Sequence, residues 1–204
     1  MKLFIDFDEV LADSIKAVLQ ILNKKYNRNV TESEVLSWNF VNVFPETDGE
    51  EISRIFDEPE FWDYVTFKSG AKAFMEFAFQ CPLISDITIV SVGRKNNLIY
   101  KEEFIKNVWG DKVKFVGVFS HECVSDKSSV DMRGGLFVDD NQNNLFSSNA
   151  DIKILFQNTP NAEWNNKWQG DHVTNFTDLM FYIQLLEFVY YTRYENASAT
   201  SKRD

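Results

Sequence analysis

Cysteine is scarce in this chain, with only Cys81 and Cys123 among 204 residues. The pair has no metal-ligand spacing and cannot make a disulfide framework, so the default is free, buried thiols in a reducing compartment. Histidine is equally rare, and His121 and His172 lack partners at ligand spacing, so both read as structural. Long apolar runs are missing too. Charge interrupts the N-terminal run Met1-Lys2-Leu3-Phe4-Ile5-Asp6, and nowhere is there a stretch of ~18 apolar residues such as a membrane span requires. The expectation is a cytoplasmic chain with no membrane partner, in which the sequons at Asn29, Asn175 and Asn196 carry no glycan. Positive charge is in deficit, with 21 Lys and Arg against 31 Asp and Glu, a net charge of -10 and a pI near 4.7. Such a surface excludes a nucleic-acid polymer as partner, because coating a phosphate backbone needs a positive footprint. It does not exclude a small phosphate substrate, since a metal ion and a few local cations can set the sign inside one pocket.

What is present describes a globular enzyme-sized chain. Hydrophobic residues make up 44% and charged residues 25%, enough to bury a full core in one domain, or in one domain carrying an insertion. Aromatics reach 15%, with 19 Phe, which implies either a ring-rich core or a ring-lined pocket.

Short apolar runs recur along the chain: Leu3-Phe4-Ile5, Ile87 to Val90, Val113 to Val118, Leu136-Phe137-Val138 and Ile152 to Phe156. Near-continuous runs of this length suit strands of a parallel sheet covered on both faces. Helical spacing lies between them. Ile15, Val18, Leu19, Leu22 and Tyr26 share one face behind an Asp13 placed to cap it; Leu98, Ile105, Val108 and Trp109 mark a helix ending at Gly110; Leu179, Tyr182, Ile183, Leu186, Val189 and Tyr190 mark a C-terminal one. Alternating strands and helices give an α/β fold with a Rossmann-like parallel sheet and right-handed crossovers. One interval breaks the rhythm: about eighty residues separate the first two strands, far more than a crossover needs. It is rich in rings and reads as a mainly helical cap, residues 14–86, inserted into a core of residues 1–13 and 87–196. The small, polar stretch 197–204 is expected to be a disordered tail.

Chemistry-bearing residues gather at the expected strand ends. The first strand runs into Asp6-Phe7-Asp8-Glu9, the second ends at Ser91, Lys127 follows the third, and Leu136-Phe137-Val138 runs into Asp139-Asp140. Carboxylates two apart leave a strand pointing roughly the same way, and a second acidic pair on another strand can converge with them. Four clustered carboxylates need a cation, and hard oxygen ligands without His or Cys favour Mg²⁺. Lys127 and the Ser91 hydroxyl supply donors for a phosphoryl group. An Asp-x-Asp alone is as easily a turn; the whole set in this order is not.

In that order the residues resemble the haloacid-dehalogenase-like phosphatases, and within them the 5′(3′)-deoxyribonucleotidases. The likeness runs through Asp6 to Asp13, Phe61-Trp62 ahead of Gly70-Ala71, Ile87 to Ser91, Asp126-Lys127-Ser128 and Leu136 to Asn141. It implies a magnesium-dependent hydrolase acting on a small phosphomonoester, with Asp6 as nucleophile and Asp8 as general acid and base. The metal would bind Asp6, the Asp8 carbonyl and Asp140, with Asp139 in the outer shell. Ser91, Val92 and Lys127 would hold the phosphoryl oxygens, Val92 through its backbone because relatives often carry a second hydroxyl there. Members are often homodimers. Trp38, Phe61 and Trp62 are the rings best placed by sequence to meet a nucleobase, and Arg94 could reach phosphate or simply start a solvated helix. The likeness usually has Gly where this chain has Glu9, which adds charge beside the site. Competing readings are a sugar-phosphate phosphatase on the same scaffold and a phospho-accepting regulatory domain. An acidic pair placed after the lysine, and a large insertion after the first strand, speak against the regulator. Asp6 and Asp8 are both present, against an inactive scaffold.

Overall fold

Six parallel strands form the sheet in the order β3-β2-β1-β4-β5-β6: β1 Lys2–Asp6, β2 Asp86–Gly93, β3 Lys114–Phe119, β4 Gly135–Asp139, β5 Ile152–Phe156 and β6 His172–Val173. The architecture is that of a computed structural model, which describes residues 1–120 and 126–200, with side chains through 192. The expected α/β class and parallel sheet are therefore present. β6 was not foreseen, because two residues are too few to show a periodic pattern.

β1 sits between β2 and β4, so the chain leaves it first to one side and later to the other. Open α/β sheets bind ligands at this kind of reversal, in the crevice beyond the strands' carboxyl ends. Leu3 and Ile5 are fully buried on a strand flanked on both edges, as a central parallel strand requires. The register pairs Asp6 with Val90 and Ile5 with Val138, so the acidic ends of β1 and β4 and the Ser91 end of β2 emerge side by side.

Between β1 and β2 lie α1 Ser14–Tyr26, α2 Gly49–Asp57, α3 Pro59–Tyr64 and α4 Ala71–Gln80. The remaining helices are α5 Lys95–Trp109, α6 Gln142–Ser147 and α7 Phe176–Thr200. Buried rings of the inserted stretch, Phe40, Phe44 and Phe61, join the same hydrophobic core as Leu3 and Ile5. The insertion thus shares its apolar interior with the sheet. No helix among the described residues is long and apolar enough to cross a membrane.

Two local expectations are corrected. Asp13 occupies the N-cap of α1 but makes no capping bond; its carboxylate accepts from Lys68 Nζ at 2.7 Å. The free Ile15 N–H of that first turn goes instead to Glu9 Oε1 at 2.8 Å, and Lys68 lies 2.9 Å from Glu9 Oε2. A half-buried lysine between two carboxylates outcompetes a local cap. Secondly, α7 runs to Thr200, so its backbone enters the stretch 197–204 that the sequence sets apart as a tail. Residues 201–204 lie outside the described residues, as do His121 and Cys123. Cys81 is a free buried thiol, and His172 sits exposed in the edge strand β6.

Candidate active site

The turn after β1 is tight. Leu11 and Ala12 both donate to the Phe7 carbonyl, at 3.0 and 2.9 Å, and Glu9 donates to the Ala12 carbonyl at 2.9 Å. Closing it puts Glu9 at φ 54°, in the left-handed region where glycine costs least. This is why glycine suits the position. Glu9 holds it because its carboxylate is anchored by Lys68 and the start of α1. That carboxylate is buried, and its charge is met locally by Lys68.

Asp6 and Asp8 emerge from this turn with different surroundings. Asp6 Oδ1 accepts from the Phe7 N–H at 2.7 Å and lies 2.6 Å from Lys127 Nζ. Asp8 Oδ1 accepts from Ser14 Oγ at 2.7 Å, and its Oδ2 accepts from Ser91 Oγ at 3.2 Å and from Lys101 Nζ. From β4, Asp139 is saturated: it accepts from the Asn141 N–H at 2.8 Å, from Lys127 at 2.6 Å and from Asn144 Nδ2 at 3.0 and 3.1 Å. Asp140 is the opposite case. It is 2% exposed, and its Oδ2 is buried with no hydrogen-bond partner among the described residues.

Burial drives the electrostatics. It raises Asp6 to about 7; Lys127 opposes the shift, while the Asp139 and Asp8 charges add to it. Asp140 is raised well above the usual carboxylate range, chiefly by burial and then by the Asp139 and Asp6 charges. For Lys127, burial favours the neutral amine, but Asp139 and Asp6 outweigh it and push the group to about 12. One ammonium among these buried carboxylates leaves negative charge uncompensated. Asp6, Asp139 and Asp140 can offer one oxygen each, all within 4.8 Å of one another. An orphaned carboxylate oxygen in an all-oxygen set fits a hard divalent cation. The saturated Asp139 is the member least free to ligate it directly.

A cavity of about 720 Å³ opens above these groups. Asp6, Asp8, Asp140 and Lys127 form its floor, and Val92 and Arg94 belong to its wall. Arg94 is also paired, at 2.6 Å, with Glu50 of α2, so it bridges the insertion and the sheet. Ser91 is fully buried behind Asp8 and is not on the wall.

Of the rings expected to meet a base, only Trp38 lines the cavity. Phe61 and Trp62 are corrected to core residues. Phe61 is fully buried, and Trp62 packs on Phe7, Phe61, Tyr100 and Phe104 at centroid distances of 5.3 to 6.2 Å. Both sit on the short helix α3, whose apolar face closes onto α1 and α5. Phe56, at the end of α2, takes the cavity position instead.

Sequence reasoning also missed Lys101, Asn97 and Asn144. Asn97, Lys101, Ile105 and Trp109 recur at i+4 along α5, and all are buried. That spacing was a usable signal, since a lysine in register with the apolar face of a helix cannot be solvated.

Comparisons with known proteins bear on the family and the fold. The family model described as 5′ nucleotidase, deoxy (pyrimidine), cytosolic type C protein matches residues 1–185. Among solved structures, a HAD phosphatase from Thermococcus onnurineus superposes with a TM-score of 0.52 at 12% identity, covering 90% of this chain and 98% of that one. A dehalogenase superposes more loosely, with a TM-score of 0.48 at 13% identity over 87% of this chain and 94% of that one. No curated protein sequence matches the chain.

Proposed function

Since the chain belongs to the deoxy (pyrimidine), cytosolic type C 5′ nucleotidase family and is a phosphatase of the haloacid-dehalogenase type, we propose that it hydrolyses nucleoside monophosphates through an aspartyl-phosphate on Asp6. The observation that carries this reading is the floor of the cavity. Asp6 stands beside Lys127 and Asp8 beside Lys101, and an Asp140 oxygen with no partner among the described residues lies below a space sized for a small ligand. The word cytosolic in the family description supports a cytoplasmic location.

Mg²⁺ would be held by the Asp6 and Asp140 carboxylates and the Asp8 carbonyl, with Asp139 supporting from behind. When bound it supplies charge neutralisation for the carboxylates and for the phosphoryl oxygens. The chain's own residues do the rest. Lys127 spends two N–H donors on Asp6 and Asp139 and has a third for a phosphoryl oxygen. The Val92 N–H supplies a further donor. In the first step an Asp6 oxygen attacks phosphorus, and the ester P–O bond breaks as Asp8 gives its proton to the departing hydroxyl oxygen. In the second step Asp8 takes a proton from water, the water oxygen attacks phosphorus, and the bond to Asp6 breaks. Inorganic phosphate leaves and Asp8 is again protonated. Phosphoryl transfer asks chiefly for in-line placement and charge stabilisation, which this floor supports.

Asp8→Asn should therefore lower turnover of a nucleoside monophosphate by ~10²–10⁴-fold. Phosphate release at saturating substrate measures it, and a loss under tenfold would remove Asp8 from the proton transfers.

Substrate class rests on Trp38 and Phe56. A base stacked on such rings gains ~1–3 kcal/mol, which remote binding can spend on positioning the phosphate. Trp38→Ala should lower kcat/KM for nucleoside monophosphates about tenfold, which corresponds to ~1.4 kcal/mol, and leave ribose 5-phosphate nearly unchanged. A panel of nucleoside monophosphates and sugar phosphates, assayed for phosphate release with Mg²⁺ and with a chelator, tests the whole reading. Equal kcat/KM for ribose 5-phosphate and the best nucleotide would replace it with the sugar-phosphate reading.

A further inference from the structure

Lys101 sits on α5, an element to which the phosphatase motifs assign nothing, and its side chain is 1% exposed. A buried ammonium is held only where its charge and its donors are met. Here all three donors are spent on the protein: on Asp8 Oδ2, on Ser91 Oγ at 2.8 Å and on the Val92 carbonyl at 3.4 Å. Ser91 accepts from Lys101 and donates its single proton to the same Asp8 oxygen, at 3.2 Å. The three groups close a ring on one Asp8 oxygen, in which Lys101 also reaches the cavity lining, and Ser14 fixes the other Asp8 oxygen from the start of α1.

Lys127 and Lys101 are therefore different in kind. Lys127 keeps a donor for substrate, and Lys101 has none to give. We infer that Lys101 is a positioning residue for Asp8. With Ser91 it sets the plane of that carboxylate, so that the proton passes to the leaving oxygen along the line of bond cleavage. The inference rests on the proposed role of Asp8 as proton donor. It also gives the fully buried Ser91, whose single proton goes to Asp8, a task in place of the phosphate binding expected of it.

This role has a signature that simple structural support lacks. A nucleoside is a poor leaving group and needs the proton from Asp8; 4-nitrophenolate leaves without one. The parameter to compare is kcat/KM, which reports events up to formation of the phospho-enzyme. Lys101→Met should lower kcat/KM for a nucleoside monophosphate by roughly 10–100-fold, as for a misplaced catalytic group. For 4-nitrophenyl phosphate it should lower the value by less than about fivefold. In an Asp8→Asn background the same substitution should add less than about twofold, because residues acting as one unit are not additive. Lys101→Gln keeps two N–H donors and should retain more nucleotide activity than Lys101→Met; it is also the variant to read if Lys101→Met does not fold. Equal losses on both substrates, or a full multiplicative loss in the double variant, would overturn the inference in favour of structural support or direct phosphate contact. Asp8→Asn alone, retaining nucleotide turnover, would instead refute the role of Asp8, and the two failures are told apart by that single variant.

Discussion

Asp6→Asn is expected to lower phosphate release on the order of 10⁴-fold or more, because it removes the attacking oxygen and a metal ligand together. The fold gives no reason for that loss to come from unfolding. The amide oxygen can still accept from the Phe7 N–H, and Lys127 keeps Asp139 at 2.6 Å. The substitution also removes a carboxyl that burial holds at about 7, which offsets the loss of its ion pair with Lys127, so thermal stability without metal should change little. Turnover and melting temperature on the same preparation separate the two causes. A variant that keeps a tenth of wild-type turnover would exclude Asp6 as nucleophile. A variant that has merely melted would leave low turnover with a lowered melting temperature.

The acidic pair on β4 should divide its work in a way that two variants expose. Asp140→Asn should abolish most activity at ordinary Mg²⁺ concentrations and raise the concentration needed for half-maximal turnover. It should cost little stability, since the Asp140 oxygen it changes has no partner to lose. Asp139→Asn should do the reverse. It weakens a fully buried ion pair with Lys127, and breaking such pairs typically costs about 3–5 kcal/mol. The expected pattern is a melting temperature that Mg²⁺ raises in the wild type and no longer raises in Asp140→Asn, beside an Asp139→Asn protein that melts early but still responds to the metal. The opposite ranking in metal titrations would transpose the two roles.

Much of this arrangement was legible in the sequence, for a physical reason. Parallel strands buried on both faces must be continuously apolar, so five strands could be read directly, and a strand such as Leu136-Phe137-Val138 running into two like charges marks a site end. What could not be read depends on tertiary partners. The side on which a ring of a short helix faces is set by packing, so Phe61 and Trp62 could not be told from Phe56. Asp13 looks like a cap in any one-dimensional reading, until Lys68, fifty-five positions on, claims it. Lys101 falls between these cases: its apolar register along α5 was visible, but the carboxylate that makes its burial affordable lies ninety-three positions away.

The central claim is that the phosphoryl group passes through Asp6. Mixing enzyme with 4-nitrophenyl phosphate and Mg²⁺, quenching in acid within a single turnover, and mapping the modified peptide by mass spectrometry tests it most directly. The expected result is one phosphoryl group on the peptide containing Asp6, accumulating further in Asp8→Asn, where the water-activating base is gone, and absent from Asp6→Asn. Full phosphate release by the wild type with no phosphoryl group on Asp6 at any quench time, and none trapped in Asp8→Asn, would contradict it.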